Sequence, residues 1–164
     1  MAIYDLERFD LDMLEFSNKY LTHNIIFHSI FVDLFNTGLR SCEILDKNRF
    51  TLNENGEYLI NTAKGSNDRV LNSLYFSELF NDAFLSGNFL YENISYQRLD
   101  YIFKISWGTP NVYQHKKRLS THLFRHMLCK SMYNNAIEVQ DIADFMGEVN
   151  NNNILGYINS VIQY

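Results

Sequence analysis

The chain has 164 residues, of which 46% are hydrophobic and 20% are charged, and its formal net charge is −5. This composition is that of a globular domain with a core, and it excludes an intrinsically disordered chain. There is no apolar run of about 18 residues and no secretory signal pattern, and the two cysteines lack paired spacing, so we expect an intracellular, cytoplasmic protein without a transmembrane helix.

The first third of the chain has the apolar spacing of helices. Two are predicted, over YDLERFDLDMLEFSNKY and NIIFHSIFVDLFNTG, and the second is apolar on nearly every side, which predicts burial. Gly38 stands at the C-terminal cap position of the second helix. A short helix over RSCEILD is predicted to follow.

The middle of the chain has the pattern of strands. β-Branched and aromatic residues surround Asn55-Gly56, a favoured two-residue hairpin turn, and a second turn, AKGSND, precedes a short strand at Arg69 to Leu71. These features predict a small three-stranded antiparallel sheet.

The remainder again has helical spacing, with Asn150 to Asn153 as a polar break and N-cap. Helices are predicted over residues 75–86, 94–106, 120–133, 137–146 and 151–161. The prediction is therefore one domain over 1–164 that is mainly α with a small three-stranded antiparallel β-sheet.

Five polar residues occupy special places in this outline: Arg40, Lys64, His122, Arg125 and Tyr157. Arginine presents a planar fork of donors that matches phosphate oxygens, and two forks can hold one phosphodiester. A tyrosine is a nucleophile when a base or a positive field assists it, and histidine can move that proton. Lysine can protonate a leaving oxygen, so this set implies neither a metal nor a cofactor.

Four stretches that contain these residues, FNTGLRSCEIL, TAKGSNDRVL, HLFRH and MGEVNNNNILGYI, resemble the catalytic domain of the tyrosine recombinase (phage integrase) family. Members of this family commonly have TGLRxxEL, GKGxKxRxVPL, HxLRH and LGHxxxxxTxxxY in this order. Gly147 and Tyr157 are ten positions apart, close to the separation in the last of these patterns. The resemblance covers nearly the whole chain and implies the fold of DNA breaking-rejoining enzymes.

The resemblance implies a role for each of the five residues. Arg40 and Arg125 would clamp the scissile phosphate, and His122 would assist proton transfer. Lys64 would protonate the leaving 5′ hydroxyl, and Tyr157 would attack to form a 3′-phosphotyrosyl link. The bond energy would stay in that link, so no ATP is needed.

Three further residues surround this set. Glu43 would orient an arginine, and His126 would pack behind the helix face that carries His122. Glu148 departs from the family pattern, which has histidine or tryptophan there. An ionised carboxylate would repel a phosphate, so we expect Glu148 to turn away, to be protonated, or to mark reduced activity.

The resemblance also implies partners. They are double-stranded DNA and further copies of the chain, with a tetramer on DNA, as in phages and mobile elements. The net negative charge opposes DNA binding, but the cluster Lys116, Lys117 and Arg118 offers candidate backbone contacts. The N-terminal DNA-clamp domain usual in the family is expected to be absent from this chain, and that domain would supply much of the affinity.

Other readings of the same residues stay open. His122, His126 and Cys129 share helical spacing that would suit zinc, although no fourth ligand is evident. The protein could be a weakened recombinase that binds DNA or regulates without cutting. A type IB topoisomerase would use the same chemistry without site preference.

Overall fold

A computed structural model describes residues 3–20, 24–63, 67–107, 113–114, 117–118, 120–159 and 162–163. Eight α-helices lie within these described residues. In chain order they are α1 (Leu6–Tyr20), α2 (Ile25–Thr37), α3 (Ser41–Ile44), α4 (Glu78–Ser86), α5 (Tyr96–Ser106), α6 (Leu123–Asn134), α7 (Val139–Met146) and α8 (Asn151–Asn159). Short 3-10 helices occupy Lys47–Arg49, Ser73–Tyr75 and Leu90–Asn93.

Two antiparallel sheets accompany the helices. The first sheet has the order β2 (Phe50–Leu52), β3 (Glu57–Ile60), β4 (Arg69–Asn72). The second has the order β1 (Ile3–Tyr4), β7 (Ile162–Gln163), β5 (Tyr113–Gln114), β6 (Lys117–Arg118). The predicted fold class, mainly α with a three-stranded antiparallel sheet, is confirmed, and the sheet of two-residue strands is an addition that the sequence did not predict.

The hairpin between β2 and β3 is confirmed, but its two-residue turn is wrong. Four residues, 53–56, separate the strands. The Asn53 side chain accepts hydrogen bonds from the backbone N–H groups of Asn55 (2.9 Å) and Glu57 (3.0 Å), so Asn53, and not Glu54, closes the loop against Glu57. Gly56 supplies the left-handed conformation, at φ 74°.

Two predicted helix caps at the site are confirmed, whereas α6 and α7 begin later than predicted, at Leu123 and Val139. Gly38 ends α2 in the left-handed conformation, at φ 68°, and its N–H donates to the Leu34 carbonyl at 2.9 Å. The left-handed backbone would strain a larger residue here, and its Cβ would also displace the end of the Met146 side chain. Asn150 caps α8 by accepting from the Asn152 N–H at 2.8 Å.

An aromatic core holds α1, α2 and α6 together. The rings of Phe31 and Phe124 stack at 5.2 Å, and Trp107 lies against both at 6.3 Å and 5.1 Å. A smaller apolar cluster joins α6, α7 and α8 around Cys129 and Met146. The end of α2, the start of α6 and the end of α7 therefore meet at the boundary between the two clusters. None of the helices in the described part of the chain is both long and apolar enough to cross a membrane.

Candidate active site

The boundary between the two apolar clusters holds most of the residues that the sequence analysis singled out. Arg40 lies directly before α3, and His122 lies directly before α6. Arg125 is in the first turn of α6, Glu148 is in the connection between α7 and α8, and Tyr157 is on α8. The structure thus brings together side chains from four separate elements.

Arg125 is the most buried of them, with 1% of its surface exposed. Its guanidinium donates to the carbonyls of Gly38 and Met146, the latter at 3.0 Å. These carbonyls lie at the C-terminal ends of α2 and α7, where unpaired carbonyl groups and the helix dipole favour a cation. The same guanidinium donates to Glu148 at 2.7 Å. Arg125 therefore joins two helix ends and the α7–α8 connection.

Arg40 is held by Glu43. The Arg40 N–H donates to Glu43 Oε1 at 2.8 Å, and the guanidinium lies 3.6 Å from Glu43 Oε2. The fully buried Glu43 also accepts from the Ala63 N–H at 2.9 Å, in the β3–β4 connection of the first sheet. A hydrogen bond of 2.5 Å between Ser41 and Thr121 links this segment to the start of α6.

Glu148 lies at the centre of the cluster and is 7% exposed. Its Oε1 accepts from Arg125 at 2.7 Å, and it lies 3.4 Å from both an Arg40 nitrogen and the Tyr157 hydroxyl. Its Oε2 accepts from Asn153 at 3.1 Å. The expectation that Glu148 turns away is therefore wrong, because its carboxylate faces both arginines.

The protonated alternative for Glu148 is also wrong. Burial alone would raise the pKa of Glu148, but hydrogen bonds from Arg125 and Asn153 and the charges of both guanidinium groups outweigh burial and lower the pKa. Glu148 is therefore ionised at neutral pH. It forms ion pairs with Arg40 and Arg125 at the place where two guanidinium groups converge.

The Tyr157 side chain contacts His126, on α6, and His122, at the N-terminal end of α6. Its hydroxyl is 3.2 Å from His122 Nε2, and its ring is 4.6 Å from the His126 ring. The Arg125 guanidinium carbon lies 6.0 Å from the Tyr157 ring centroid. Burial raises the pKa of Tyr157, against the lowering effect of the Arg125 charge, so the resting hydroxyl keeps its proton.

His122 is neutral in this setting. Burial, and then the positive charges of Arg125 and Arg40, lower the pKa of His122 to about 4. The neutral imidazole can therefore accept a proton through Nε2 when its tautomer leaves that nitrogen free. His126 is 5% exposed and packs against both rings, 5.4 Å from His122.

Several predicted residues are not placed in the cluster. Lys64 and Lys116 lie outside the described residues. Lys117 and Arg118 form β6, which pairs antiparallel with β5, and their contact with a DNA backbone stays a prediction. Across the part of the chain that the structure describes, no group of three His, Cys, Asp or Glu side chains could hold a metal ion.

Arg69 is a member of this region that the sequence analysis missed. It is 4% exposed and donates to the Thr37 carbonyl at 2.6 Å, beside the carbonyl that Arg125 binds. Burial, and then the Arg125 charge, lower the pKa of Arg69 to about 9. Its Cγ would lie 2.8 Å from a Cβ on Gly147, which explains the glycine there, at φ 70°. The signal was available, because the quoted family pattern has an arginine at this place.

The sequence matches no family model and no curated protein. Solved structures do resemble it, among them a lambda integrase dimer bound to a COC' core site, with a TM-score of 0.69, 10% identity, and coverage of 96% of this chain and 59% of that chain. XerA recombinase has a TM-score of 0.63, 14% identity, and coverage of 97% and 58%. XerH site-specific recombinase bound to palindromic difH substrate has a TM-score of 0.61, 16% identity, and coverage of 93% and 46%.

These relationships establish the architecture of the chain. The chain spans about half to three-fifths of the length of these proteins. At such low identities the likeness concerns the fold, and the chain has the fold of recombinase catalytic domains.

Proposed function

We propose that this chain is the catalytic domain of a site-specific DNA recombinase or integrase that cleaves and rejoins DNA through a 3′-phosphotyrosyl intermediate. The observation that carries the proposal is the convergence of Arg40, Arg125, His122 and Tyr157 from three elements, α3, α6 and α8. The Tyr157 hydroxyl lies 3.2 Å from an imidazole nitrogen and beside the side chain that both guanidinium groups contact.

The two arginines would act on the phosphate. Two guanidinium groups can donate to both non-bridging oxygens and neutralise the charge that develops on them in the transition state. Arg125 is fixed by two helix ends and Arg40 by the buried Glu43, so both forks are positioned before substrate arrives. Preorganised donors of this kind need little rearrangement during the reaction.

Tyr157 and His122 would carry the covalent step. The Tyr157 oxygen attacks phosphorus, a P–O bond to the tyrosine forms, and the bond from phosphorus to the 5′ oxygen breaks. The tyrosine proton passes to neutral His122, 3.2 Å away. The leaving 5′ oxygen needs a proton, and Lys64 is our proposed donor. Attack of the 5′ hydroxyl of another strand reverses these transfers and rejoins DNA.

The proposed partners follow from this chemistry. Double-stranded DNA is the substrate, and several copies of the chain would assemble on it, because exchange between two duplexes needs four cleavages. A phage or a mobile element would be a natural source of such an enzyme. The net charge of −5 opposes binding to the DNA backbone, so segments outside this fold would have to supply additional DNA affinity.

The test is whether the protein forms a covalent adduct with DNA. The protein is incubated with a pool of duplexes of randomised sequence, and protein–DNA complexes that resist denaturant are recovered and sequenced. The wild type should give an adduct at a preferred sequence, and Tyr157→Phe should give none. Tyr101→Phe, which alters a tyrosine that is 59% exposed, is the matched control and should retain the adduct. An adduct that persists in Tyr157→Phe would contradict the proposal.

One observation favours a second candidate, a recombinase-like DNA-binding or regulatory protein without cleavage. Glu148 already pairs with both arginines that a phosphate would need. This candidate predicts DNA binding that is unchanged by Tyr157→Phe and no adduct from any variant. The same randomised pool separates the two candidates, since binding and adduct formation are scored on the same DNA.

A further inference from the structure

The position between the Arg40 and Arg125 guanidinium groups is filled from within the chain. Glu148 Oε1 lies 2.7 Å from Arg125 Nη2 and 3.4 Å from Arg40 Nη2. Carboxylate and phosphate oxygens match guanidinium donors in the same way. A single carboxylate oxygen shared by two guanidinium groups therefore stands where a phosphate oxygen would have to be bound.

Arg40 is the side of this position that borders a cavity. The Arg40 side chain is 20% exposed. Arg40 and His122 line a cavity of about 470 Å³. An incoming anion would meet Arg40 first and would then meet the negative charge of Glu148. Two like charges cannot share this small space at low cost, so one of them must leave.

The Glu148 backbone is fixed and its side chain is the part that can leave. The Glu148 N–H donates to the Ala143 carbonyl at 2.9 Å, and the Asn67 N–H donates to the Gly147 carbonyl at 2.9 Å. These bonds anchor the end of α7. Rotation of the Glu148 side chain breaks polar contacts that, among the described residues, are those with the two arginines and with α8.

The contacts with α8 include the proposed nucleophile. Glu148 accepts from Asn153 at 3.1 Å and lies 3.4 Å from the Tyr157 hydroxyl, and both residues belong to α8. Removal of the carboxylate therefore changes the surroundings of Tyr157 in the same event that frees the guanidinium groups.

We propose that Glu148 is a displaceable internal occupant of an anion site formed by Arg40 and Arg125. A phosphodiester enters only by displacing the carboxylate, and that displacement also releases Tyr157 from it. The identity of the anion as a DNA phosphodiester rests on the proposed function, whereas the occupied anion site does not.

The experiment titrates inorganic sulfate, a tetrahedral dianion, into the wild type and into Glu148→Gln at pH 7.5 and constant ionic strength. Affinity is measured by calorimetry and by the shifts of arginine side-chain nitrogens in NMR spectra. Glu148→Gln should bind sulfate at least tenfold more tightly than the wild type. Glu54→Gln, which removes the same charge from an exposed turn residue, should match the wild type.

Two results would overturn the inference. One is equal sulfate affinity in the wild type and Glu148→Gln. The other is a gain that persists in Glu148→Gln/Arg40→Gln, since that gain would not come from the arginine pair. Circular dichroism establishes that each variant is folded, and Glu148→His at pH 8 repeats the test if Glu148→Gln is not.

The adduct assay separates this inference from the proposed function. If Glu148→Gln gains sulfate affinity and no chain forms a DNA adduct, the proposed function fails and the occupied anion site stands. If the wild type forms the adduct and the sulfate affinities are equal, the proposed function stands and the internal occupant is rejected. If both hold, Glu148→Gln should form its adduct at lower DNA concentration than the wild type.

Discussion

Two buried carboxylates in this molecule have opposite electrostatics. Glu148 lies among guanidinium groups, and its pKa is lowered despite burial. Asp33, in the middle of α2, is fully buried, and burial raises its pKa to about 6. Asp33 accepts from the Tyr91 hydroxyl at 2.7 Å and from Ser77 through its N–H (2.7 Å) and hydroxyl (2.9 Å).

The different charges around Glu148 and Asp33 indicate different roles for the two regions. Neutral donors satisfy the oxygens of Asp33 without supplying charge, and no cation among the described residues forms an ion pair with it. Asp33 thus holds α2 to the segment before α4, as a structural polar group in a core. Glu148 instead compensates two cations that α3 and α6 bring together. The first region uses hydrogen bonds for packing, and the second maintains an anion site.

The largest expected effect comes from removing the cation beside Glu148. Arg125→Met leaves the Glu148 carboxylate buried beside an apolar side chain and leaves the carbonyls of Gly38 and Met146 without their donor. Breaking a buried ion pair by removing one partner costs about 3–5 kcal/mol. Urea denaturation at pH 7 should show this loss in the free energy of unfolding.

Two further variants make the Arg125 result interpretable. Arg98→Met, at an exposed arginine whose guanidinium lies 5.7 Å from the Phe27 ring centroid, should cost no more than about 1 kcal/mol. Arg125→Met/Glu148→Gln should recover part of the loss, because the uncompensated charge is gone. If the double variant recovered nothing, the ion pair would not be the source of the effect.

The second prediction uses the raised pKa of Asp33. A carboxyl whose pKa is higher in the folded state adds stability that is complete below its unfolded value and is lost as pH rises through the folded value. For Asp33 that window runs from 3.8 to about 6. The loss is about 3 kcal/mol, at about 1.4 kcal/mol for each unit of pKa difference.

Asp33→Asn tests this slope. Its free energy of unfolding, measured at several pH values across the window, should lack the decline that Asp33 gives the wild type. Asp82→Asn, at an exposed aspartate of α4, is the control and should retain the decline. Parallel curves for the wild type and Asp33→Asn would mean that folding does not raise the pKa of Asp33.

The third prediction concerns Glu148, for which stability is lost as pH falls and not as pH rises. The lowered pKa of Glu148 gives stability that is present above its ordinary value of 4.5 and is lost as pH falls through the folded value. Glu148→Gln should therefore be less stable than the wild type at pH 7, by about 2 kcal/mol for a lost charge-assisted hydrogen bond. The two unfolding curves should converge in acid, whereas Glu54→Gln should follow the wild type at every pH. Curves that diverge in acid would reverse the assignment.

Part of the candidate site was predictable from the sequence. The stretches around Arg40, Arg125 and Tyr157 have local spacing that placed them on the correct elements. The inward direction of Glu148 was not predictable, because it depends on how the end of α7 meets α6. Asp33 gave a signal that was not used, since a lone acid in an apolar helix needs buried donors.

The second sheet illustrates a different limit. Its strands have two residues each, and two residues show no alternation of apolar and polar side chains. Strand β7 pairs with β1, near the other end of the sequence, and with β5, which lies between α5 and α6. Pairing between such distant segments depends on the packed helices and not on a local pattern.

The smallest expected effect concerns the outer oxygen of Glu148. Asn153 donates to Oε2 at 3.1 Å from an exposed position on α8, so Asn153→Ala should cost about 0.5 kcal/mol of stability. Loss of this donor should also raise the pKa of Glu148, which carboxyl carbon NMR can follow. Asn152→Ala, at the exposed neighbour, should leave that pKa unchanged. A raised pKa with both arginine contacts retained would show that α8 helps hold the carboxylate in the anion site, whereas an unchanged pKa would assign that task to the guanidinium groups alone.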